Sequence, residues 1–207
     1  MRKKISALLL GLVMVLSTLA PAFTADVYAE EGSVVYEYEE ASVVNPVANS
    51  WTEPNGNDGP ADWAFDNNSA THWHSNWGEA TDDNPHSNSL TWATVNEIPA
   101  YSEVASGRAW IGAEFEEPIN LAYVEYTGRT GKQTNWYGQY ALYIANVTGR
   151  EVTDADFELA ASGTNTGFSK MVLSLETPKA ATHFRLVAFT ANPDGNNFVT
   201  ASEIDVF

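Results

Sequence analysis

The densest group of residues that could do chemistry lies in the segment AFDNNSATHWHSNW, residues 64–77. Asp66, Asn68 and Thr71 fall close together in a stretch that is too polar for a strand. A hard cation such as Ca²⁺ binds about six to eight oxygens, and a turn can supply carboxylate, hydroxyl and backbone oxygens together. Glu203 could complete the shell only if the fold brings the end of the chain close. An Asx turn without a metal is the alternative.

Two histidines in the same segment raise the question of a zinc site or a catalytic site. His72 and His74 have the spacing of residues on one face of a strand. Because the chain has no Cys, zinc would need both of them and a carboxylate. The acidic residues show no pattern that selects a facing pair for glycoside hydrolysis, and no nucleophile turn is present. The sequence therefore does not indicate an enzyme.

A second polar cluster occupies residues 126–137, YTGRTGKQTNWY. It is predicted to be the end of a strand followed by a Gly-containing loop that carries Arg129, Asn135 and Trp136. Planar side chains with fixed donors and acceptors bind sugar hydroxyls, and the apolar face of a pyranose stacks on an aromatic ring. The cluster has both kinds of group, although an ordinary polar hairpin would look the same.

The elements that must position these residues are predicted to be strands. Short runs rich in β-branched and aromatic residues are separated by Gly, Pro, Asn and Asp, and helical periodicity is absent over any useful length. Seven such runs without alternating helices predict an antiparallel sandwich. One short capped turn is predicted at Thr153–Asp156, and long loops at Asn55–Asn68 and Glu79–Gly107. The predicted strands are Ala109–Phe115, Ile119–Tyr126, Gln139–Ala145, Phe157–Ala160, Met171–Leu175, His183–Phe189 and Thr200–Phe207.

The composition excludes several classes of protein. The chain has 207 residues, with 27 Asp and Glu against 10 Lys and Arg, and a formal net charge of -17. This acidity argues against broad electrostatic binding to nucleic acid or to an anionic membrane. The lack of Cys excludes disulfide scaffolds, thiolate metal sites and cysteine nucleophiles. A hydrophobic content of 44% is enough for a folded core.

The N-terminal part is predicted to be a targeting segment. Residues 1–29 have a basic start, an apolar run and small-residue cleavage sites, the layout of a secretory signal peptide with cleavage preferred after Ala29. A membrane anchor is the alternative, but the run is short for a span of about 20 residues. Residues 30–44 are predicted to be an acidic linker or leading extension, and residues 45–207 one domain.

The segment DNNSATHWHSNW, residues 66–77, resembles the signature of coagulation factor V/VIII C-type domains, also called discoidin domains. The resemblance is greatest to their bacterial branch, the family 32 carbohydrate-binding modules. It extends over about residues 45–207, because further matching segments follow in the same order. These are VEYTGR (124–129), YALYI (140–144), ASGT (161–164), HFRL (183–186) and ASEIDVF (201–207).

The resemblance implies an all-β fold, an antiparallel jelly-roll β-sandwich of the galactose-binding-domain-like, discoidin type. It also implies a structural Ca²⁺. By this resemblance Asp66 and Thr71 are side-chain ligands, and Trp63 and Asn68 give backbone oxygens. Glu203 closes the shell from the last strand.

The resemblance further implies a sugar site made by His74, Arg129 and Asn135. An aromatic ring would be the platform on which the sugar stacks. The candidates for this ring are Phe198, Trp77 and Trp136. His72 has no role in the family and is interpreted as a structural or exposed residue.

The sequence departs from the family pattern in three places. Asn67 stands where Gly usually follows Asp66, which is tolerable because Asn accepts left-handed geometry. Gly128 stands where Pro usually precedes Arg129, which could move the Arg. The insertion 79–107 could reshape or cover the sugar site.

We therefore expect a secreted, bacterial, non-catalytic module that binds galactose-type, N-acetylated or related glycan sugars. It could be a fragment or accessory module of a larger glycoside hydrolase, with other modules as partners. We expect neither nucleic-acid binding nor membrane insertion. The alternative function is a discoidin-like cell-surface adhesion module that binds a protein or another non-glycan partner.

Overall fold

The strands form an antiparallel β-sandwich, and each of the seven predicted runs lies in or overlaps a strand. The computed structural model describes residues 38–52, 54–75, 90–129, 135–192 and 197–207. The strands are β1 Val43–Ala48, β2 Asp58–Gly59, β3 His72–His74, β4 Ala109–Thr127, β5 Trp136–Tyr137, β6 Gln139–Ala145, β7 Glu158–Thr164, β8 Lys170–Ala188, β9 Ala191–Asn192, β10 Thr200–Ala201 and β11 Glu203–Val206.

Two predictions fall wholly outside the described residues, the signal peptide and the Trp77 platform. Two fall partly outside, the acidic leader at residues 30–37 and the insertion at residues 79–89. Within the part that the structure describes, no helix is long and apolar enough to cross a membrane.

The largest sheet has the order β1-β4-β8-β6-β7, and β11 also pairs with β4. Two smaller sheets have the orders β10-β3-β2 and β5-β9. Among the described strand pairs, only β2 with β3 is parallel.

Two predicted pairs of strands are in fact the two halves of β4 and of β8. A proline lies between the halves of each, Pro118 and Pro178, and the register of β4 against β8 shifts between Glu114 and Ile119 and again between Leu121 and Tyr123. Proline has no N–H to donate to the ladder, and a β-bulge leaves one residue unpaired. The two register shifts therefore accommodate Pro118 and Pro178 without ending β4 or β8.

The first strand begins earlier than the predicted start of the domain. Val43 pairs with Phe115 of β4, so the predicted boundary between residues 44 and 45 falls inside β1. The register of β1 shifts between Val44 and Val47, where Asn45 has a φ of 47°. This irregularity removes the strict alternation by which a strand is recognised in a sequence.

The core lies on the inner face of the main sheet. Alternate residues of β6, Leu142 and Ile144, and of β8, Phe184 and Leu186, are buried there together with Trp73. Other large buried members of this cluster are Ile111, Leu121, Tyr126, Tyr137 and Leu173.

The described part of the insertion packs on the outer face of the same sheet. Tyr143 and Val187 alternate with the core residues and are buried beneath the one-turn helix α1, Tyr101–Val104. The Tyr143 hydroxyl donates to the Pro99 carbonyl at 2.7 Å, and the Gln139 amide bonds both backbone groups of Val95 at 2.8 Å. These contacts hold residues 90–107 against the outer face of the sheet.

The capped turn forms as predicted. Asp154–Asp156 is a 3-10 helix, and Thr153 and Asp156 make the reciprocal hydrogen bonds of a capping box. A second 3-10 helix, Ala61–Ala64, lies in the predicted loop Asn55–Asn68, which also contains β2.

We expect Gly112→Ala to destabilise the domain by about 2 kcal/mol, because overpacking between strands forces the backbone apart. A Cβ at Gly112 would lie 2.0 Å from the Phe184 carbonyl oxygen in β8. Urea unfolding of the two proteins measures the difference. The matched control is Gly107→Ala, because a Cβ at Gly107 meets no atom within 4 Å. Equal midpoints for the two variants would contradict the prediction.

Candidate functional site

Residues predicted to bind sugar come together at one end of the sandwich. His74 of β3 pairs with Thr200 of β10. The His74 ring stacks on Phe198, with ring centroids 4.8 Å apart and an interplanar angle of 27°. The Asn135 carbonyl accepts a hydrogen bond from the Thr200 backbone N–H at 2.8 Å. Arg129 follows the end of β4, the strand that pairs with β11.

Asp58 joins this group, although sequence analysis did not select it. Its carboxylate accepts a hydrogen bond from His72 Nε2 and lies 3.4 Å from the Arg129 guanidinium. The parallel pairing of Asp58 with His72 explains the contact. An Asp-Gly pair inside a predicted loop is typical of a turn, which hid this residue in the sequence. His72 is buried against Asp58, so the interpretation of His72 as an exposed residue is wrong.

His74 has a defined arrangement of ring protons. Its Nδ1 lies 2.6 Å from the Ser75 carbonyl oxygen, and because a carbonyl only accepts, Nδ1 carries the proton. Burial lowers the pKa of His74, although Asp58 and the Ser75 carbonyl oppose the shift. Burial likewise lowers the pKa of His72. His74 is therefore neutral at pH 7, and its Nε2 is a hydrogen-bond acceptor.

Gly128 determines how Arg129 is presented. A Cβ at Gly128 would come within 2.4 Å of Trp136 Cδ1, so only Gly lets the indole pack here. Trp136 Nε1 then donates to the Arg129 carbonyl at 3.2 Å, and Ser202 Oγ donates to the Gly128 carbonyl at 3.1 Å. With Gly in place of the expected Pro, the indole packs here, and the carbonyl groups of both Gly128 and Arg129 accept hydrogen bonds that fix the backbone around Arg129.

The same packing removes Trp136 from the candidates for the stacking platform. The residue is only 8% exposed, because its ring fills the space beside Gly128. A sugar can stack only on an accessible ring face. Phe198 is half-buried, lies against His74 and remains a candidate.

Asn135 has a left-handed backbone, with a φ of 73°, which Asn tolerates better than most residues. The residue is buried, and its carbonyl also accepts a hydrogen bond from Thr200 Oγ1 at 3.0 Å. Asn135 therefore ties the start of β5 to β10.

The predicted metal ligands form a compact turn, residues 66–71. Asp66 accepts hydrogen bonds from the Asn68 N–H at 2.9 Å and from Thr71 Oγ1 at 2.7 Å. Asn67 has a φ of 56°, the left-handed geometry expected where it replaces Gly. Its N–H donates to Glu203 Oε1 at 3.2 Å. The fold thus brings the carboxylate of β11 against this turn.

The oxygens around this turn are of the kind that Ca²⁺ prefers. Carboxylates of Asp66 and Glu203, the Thr71 hydroxyl and the Asn68 carbonyl lie on adjoining segments. Trp63 lies in the neighbouring 3-10 helix, where its ring packs over Gly59. Burial, together with the nearby carboxylates of Asp205 and Asp66, raises the pKa of Glu203 to about 7, although the hydrogen bond from the Asn67 N–H opposes the shift.

The described residues contain no group of three or more His, Cys, Asp or Glu that could hold a metal ion. A site at this turn would therefore depend on hydroxyl and backbone oxygens as well as on two carboxylates, Asp66 and Glu203. Such a mixed oxygen set suits Ca²⁺.

No protein-family model and no curated protein matches the sequence. Solved structures do match it. A family 32 module of Clostridium perfringens, CpGH89CBM32-5, in complex with GalNAc-β-1,3-galactose, is 22% identical with a TM-score of 0.56, and the match covers 79% of this chain and 94% of that one.

Two further solved structures have the same architecture. The family 32 module of C. perfringens NanJ in complex with galactose is 18% identical with a TM-score of 0.55, and the match covers 81% of this chain and 98% of that one. A chitosan-binding module of a chitosanase/glucanase from Paenibacillus sp. IK-5 is 15% identical with a TM-score of 0.54, covering 82% and 99%. The chain has the jelly-roll β-sandwich fold of the family 32 carbohydrate-binding modules.

Proposed function

We propose that this chain is a secreted, bacterial, non-catalytic carbohydrate-binding module for galactose-type or related sugars. The observation that supports the proposal best is the convergence of His74, Phe198 and Arg129, beside the buried Asn135 whose backbone carbonyl fixes β10. Two modules of the same fold are in complexes with glycans, one with galactose and one with GalNAc-β-1,3-galactose.

The chemistry of the group suits a sugar ring. A hydroxyl both donates and accepts, so it needs an acceptor and a donor within reach. In this proposal His74, which is only 3% exposed, would accept at Nε2, and the Arg129 guanidinium would supply donors in a fixed plane. Phe198 offers an aromatic face to the apolar side of a pyranose.

Asp58 holds Arg129 in place for this role. A flexible Arg would lose rotamer freedom when it binds a sugar, which weakens binding. The contact with the Asp58 carboxylate, itself held by buried His72, orients the guanidinium before the ligand arrives.

Binding is favoured over hydrolysis by the state of this carboxylate. Glycoside hydrolysis uses two carboxyl groups on opposite sides of the scissile bond. Asp58, a carboxylate that lies beside His74 and Arg129 in the described part of the chain, is already paired with His72 and Arg129. The arrangement is therefore suited to holding a sugar.

A shallow site of this kind is expected to bind weakly on its own. Micromolar to millimolar dissociation constants correspond to about 4 to 8 kcal/mol. Linkage to a second module or to an enzyme raises the effective affinity. We infer that other modules of a larger glycoside hydrolase are its partners.

Ca²⁺ is part of the proposal as a structural ion. Asp66, Thr71 and Glu203 would hold it through side-chain oxygens, and Trp63 and Asn68 through backbone oxygens. The ion would neutralise carboxylates that the fold has brought together and would fix β11 to the turn that precedes β3.

We expect Arg129→Ala to weaken glycan binding about tenfold or more, because hydrogen bonds from a charged donor are among the stronger ones. A glycan array of the wild type selects the sugar, and titration calorimetry measures both proteins. Lys179→Ala is the matched control, since it removes a cation paired with Glu158 elsewhere. No glycan signal for the wild type would contradict the function. Unchanged binding by Arg129→Ala would contradict only the site.

We expect sugar affinity to be constant from about pH 8 to about pH 6.5 and to fall at lower pH. Burial holds the pKa of His74 below its ordinary value of 6.5. The neutral acceptor form therefore persists until the pH falls through that lowered value. Asp58, His72 and Arg129 face this ring. Calorimetry at stepped pH tests the expectation, with thermal unfolding at each pH as the control. An affinity that does not change down to about pH 4.5 would contradict it.

We expect added Ca²⁺ to raise the unfolding midpoint of the chelated protein by about 5 to 10 °C at saturating concentrations. Asp66→Asn should abolish most of this rise, because it removes one of two carboxylates. The matched control is Asp62→Asn, an exposed acid in the adjoining 3-10 helix. Equal midpoints with Ca²⁺ and with chelator would rule out the ion.

A further inference from the structure

Phe168 is the most exposed large hydrophobic residue in the part of the chain that the structure describes. It is 61% exposed and lies in the loop 165–169 between β7 and β8. Exposed single hydrophobic residues are common, so exposure alone carries no argument. Two further features set Phe168 apart, the hydrogen bonds that fix its loop and the contacts of that loop with the candidate sugar-binding segments.

The loop is held by the side chain of Asn165. Its Oδ1 accepts hydrogen bonds from the Gly167 N–H at 3.0 Å and from the Phe168 N–H at 2.8 Å. Its Nδ2 donates to the Phe168 carbonyl at 2.7 Å. Both backbone groups of Phe168 are thus bonded to a buried amide, and the ring is presented on a fixed backbone.

The loop also contacts both segments that carry the sugar-binding candidates. The Gly128 N–H, next to Arg129, donates to the Ser169 carbonyl at 2.6 Å. On the other side, Asn192 Nδ2 donates to the Asn165 carbonyl at 2.8 Å, and Asn192 pairs with Trp136, the residue after Asn135. The backbone of Phe168 therefore lies next to the segments that carry Arg129 and Asn135.

We propose that Phe168 is a second stacking surface, which binds the next pyranose of an oligosaccharide whose terminal sugar lies at His74 and Arg129. This inference rests on the proposed function. An exposed aromatic ring on a preorganised backbone loses little freedom when a sugar stacks on it. The ring would make the module recognise a chain of sugars and not only a terminal residue.

A glycan suits this ring better than a protein partner does. Specific protein interfaces bury at least about 1,200 Å² and centre on clusters of large apolar side chains. The loop offers one ring, with the small polar residues Thr166 and Ser169 near it. A single ring among polar groups is the arrangement that a pyranose can use, because it has one apolar face and a rim of hydroxyls.

Titration calorimetry tests this with galactose and galactan-derived oligosaccharides of two to four residues, and with glucosamine and chitosan oligosaccharides of the same lengths in parallel. In the wild type we expect the longer ligands to bind about three- to tenfold more tightly than the monosaccharide. Phe168→Ala should lose this gain and keep the monosaccharide affinity. Phe168→Trp should retain the gain.

The matched control is Leu159→Ala, which removes an exposed hydrophobic side chain at the opposite end of β7. It should leave both affinities unchanged. A wild type without any gain from chain length, or a gain that survives in Phe168→Ala, would overturn the inference and leave the proposed function intact. Loss of self-association in Phe168→Ala with unchanged sugar binding would assign the ring to a protein contact instead. A wild type that binds neither series, and no glycan on the array, would overturn the function and this inference together.

Discussion

The pairing of the last strands with two strands far earlier in the chain is the interaction on which the rest of the structure depends. β10 pairs with β3, which places Thr200 opposite His74, and β11 pairs with β4, which places Glu203 opposite Thr127. Without these two ladders Phe198 would not reach His74, and the Glu203 carboxylate would not reach the Asn67 amide. Because the chain has no disulfides, backbone hydrogen bonds and the buried core must supply this closure.

The candidate sugar site is assembled around a partly buried ion pair. Removing Arg129 and Asp58 from water costs free energy, which their mutual attraction and the hydrogen bond from His72 offset. Because desolvation offsets the attraction, the net contribution of this pair to stability is small, whereas the contact limits the directions that the guanidinium can take. In the proposed site this geometry is what would matter, because a site distinguishes sugars by the directions in which its donors and acceptors meet the hydroxyls.

The two faces of the main sheet are used differently. Its inner face packs in the sandwich, whereas residues 90–107 cover its outer face through α1 and through the hydrogen bonds to Val95 and Pro99. A long insertion between two predicted binding segments looks in the sequence like a lid. Alternation along β6 explains why residues 90–107 pack on the sheet instead. Leu142 and Ile144 face the inner core, so Tyr143 between them lies on the outer face, where its ring is buried only if the insertion covers it.

The sequence by itself determined what depends on neighbouring residues. Alternation and turn residues predicted the strands, and the spacing of Asp66, Asn68 and Thr71 predicted the turn, because these contacts span only a few positions. The fold class followed from the strands, and the resemblance supplied the identities of the candidate metal and sugar ligands.

The tertiary structure decided what depends on strand register over long separations. It placed Asp58 beside Arg129, buried Trp136 against Gly128 and left Phe168 exposed. A shift of one residue in the pairing would turn each side chain to the opposite face. No local pattern specifies that register, since the partners lie on different strands and meet only when the whole sandwich has closed.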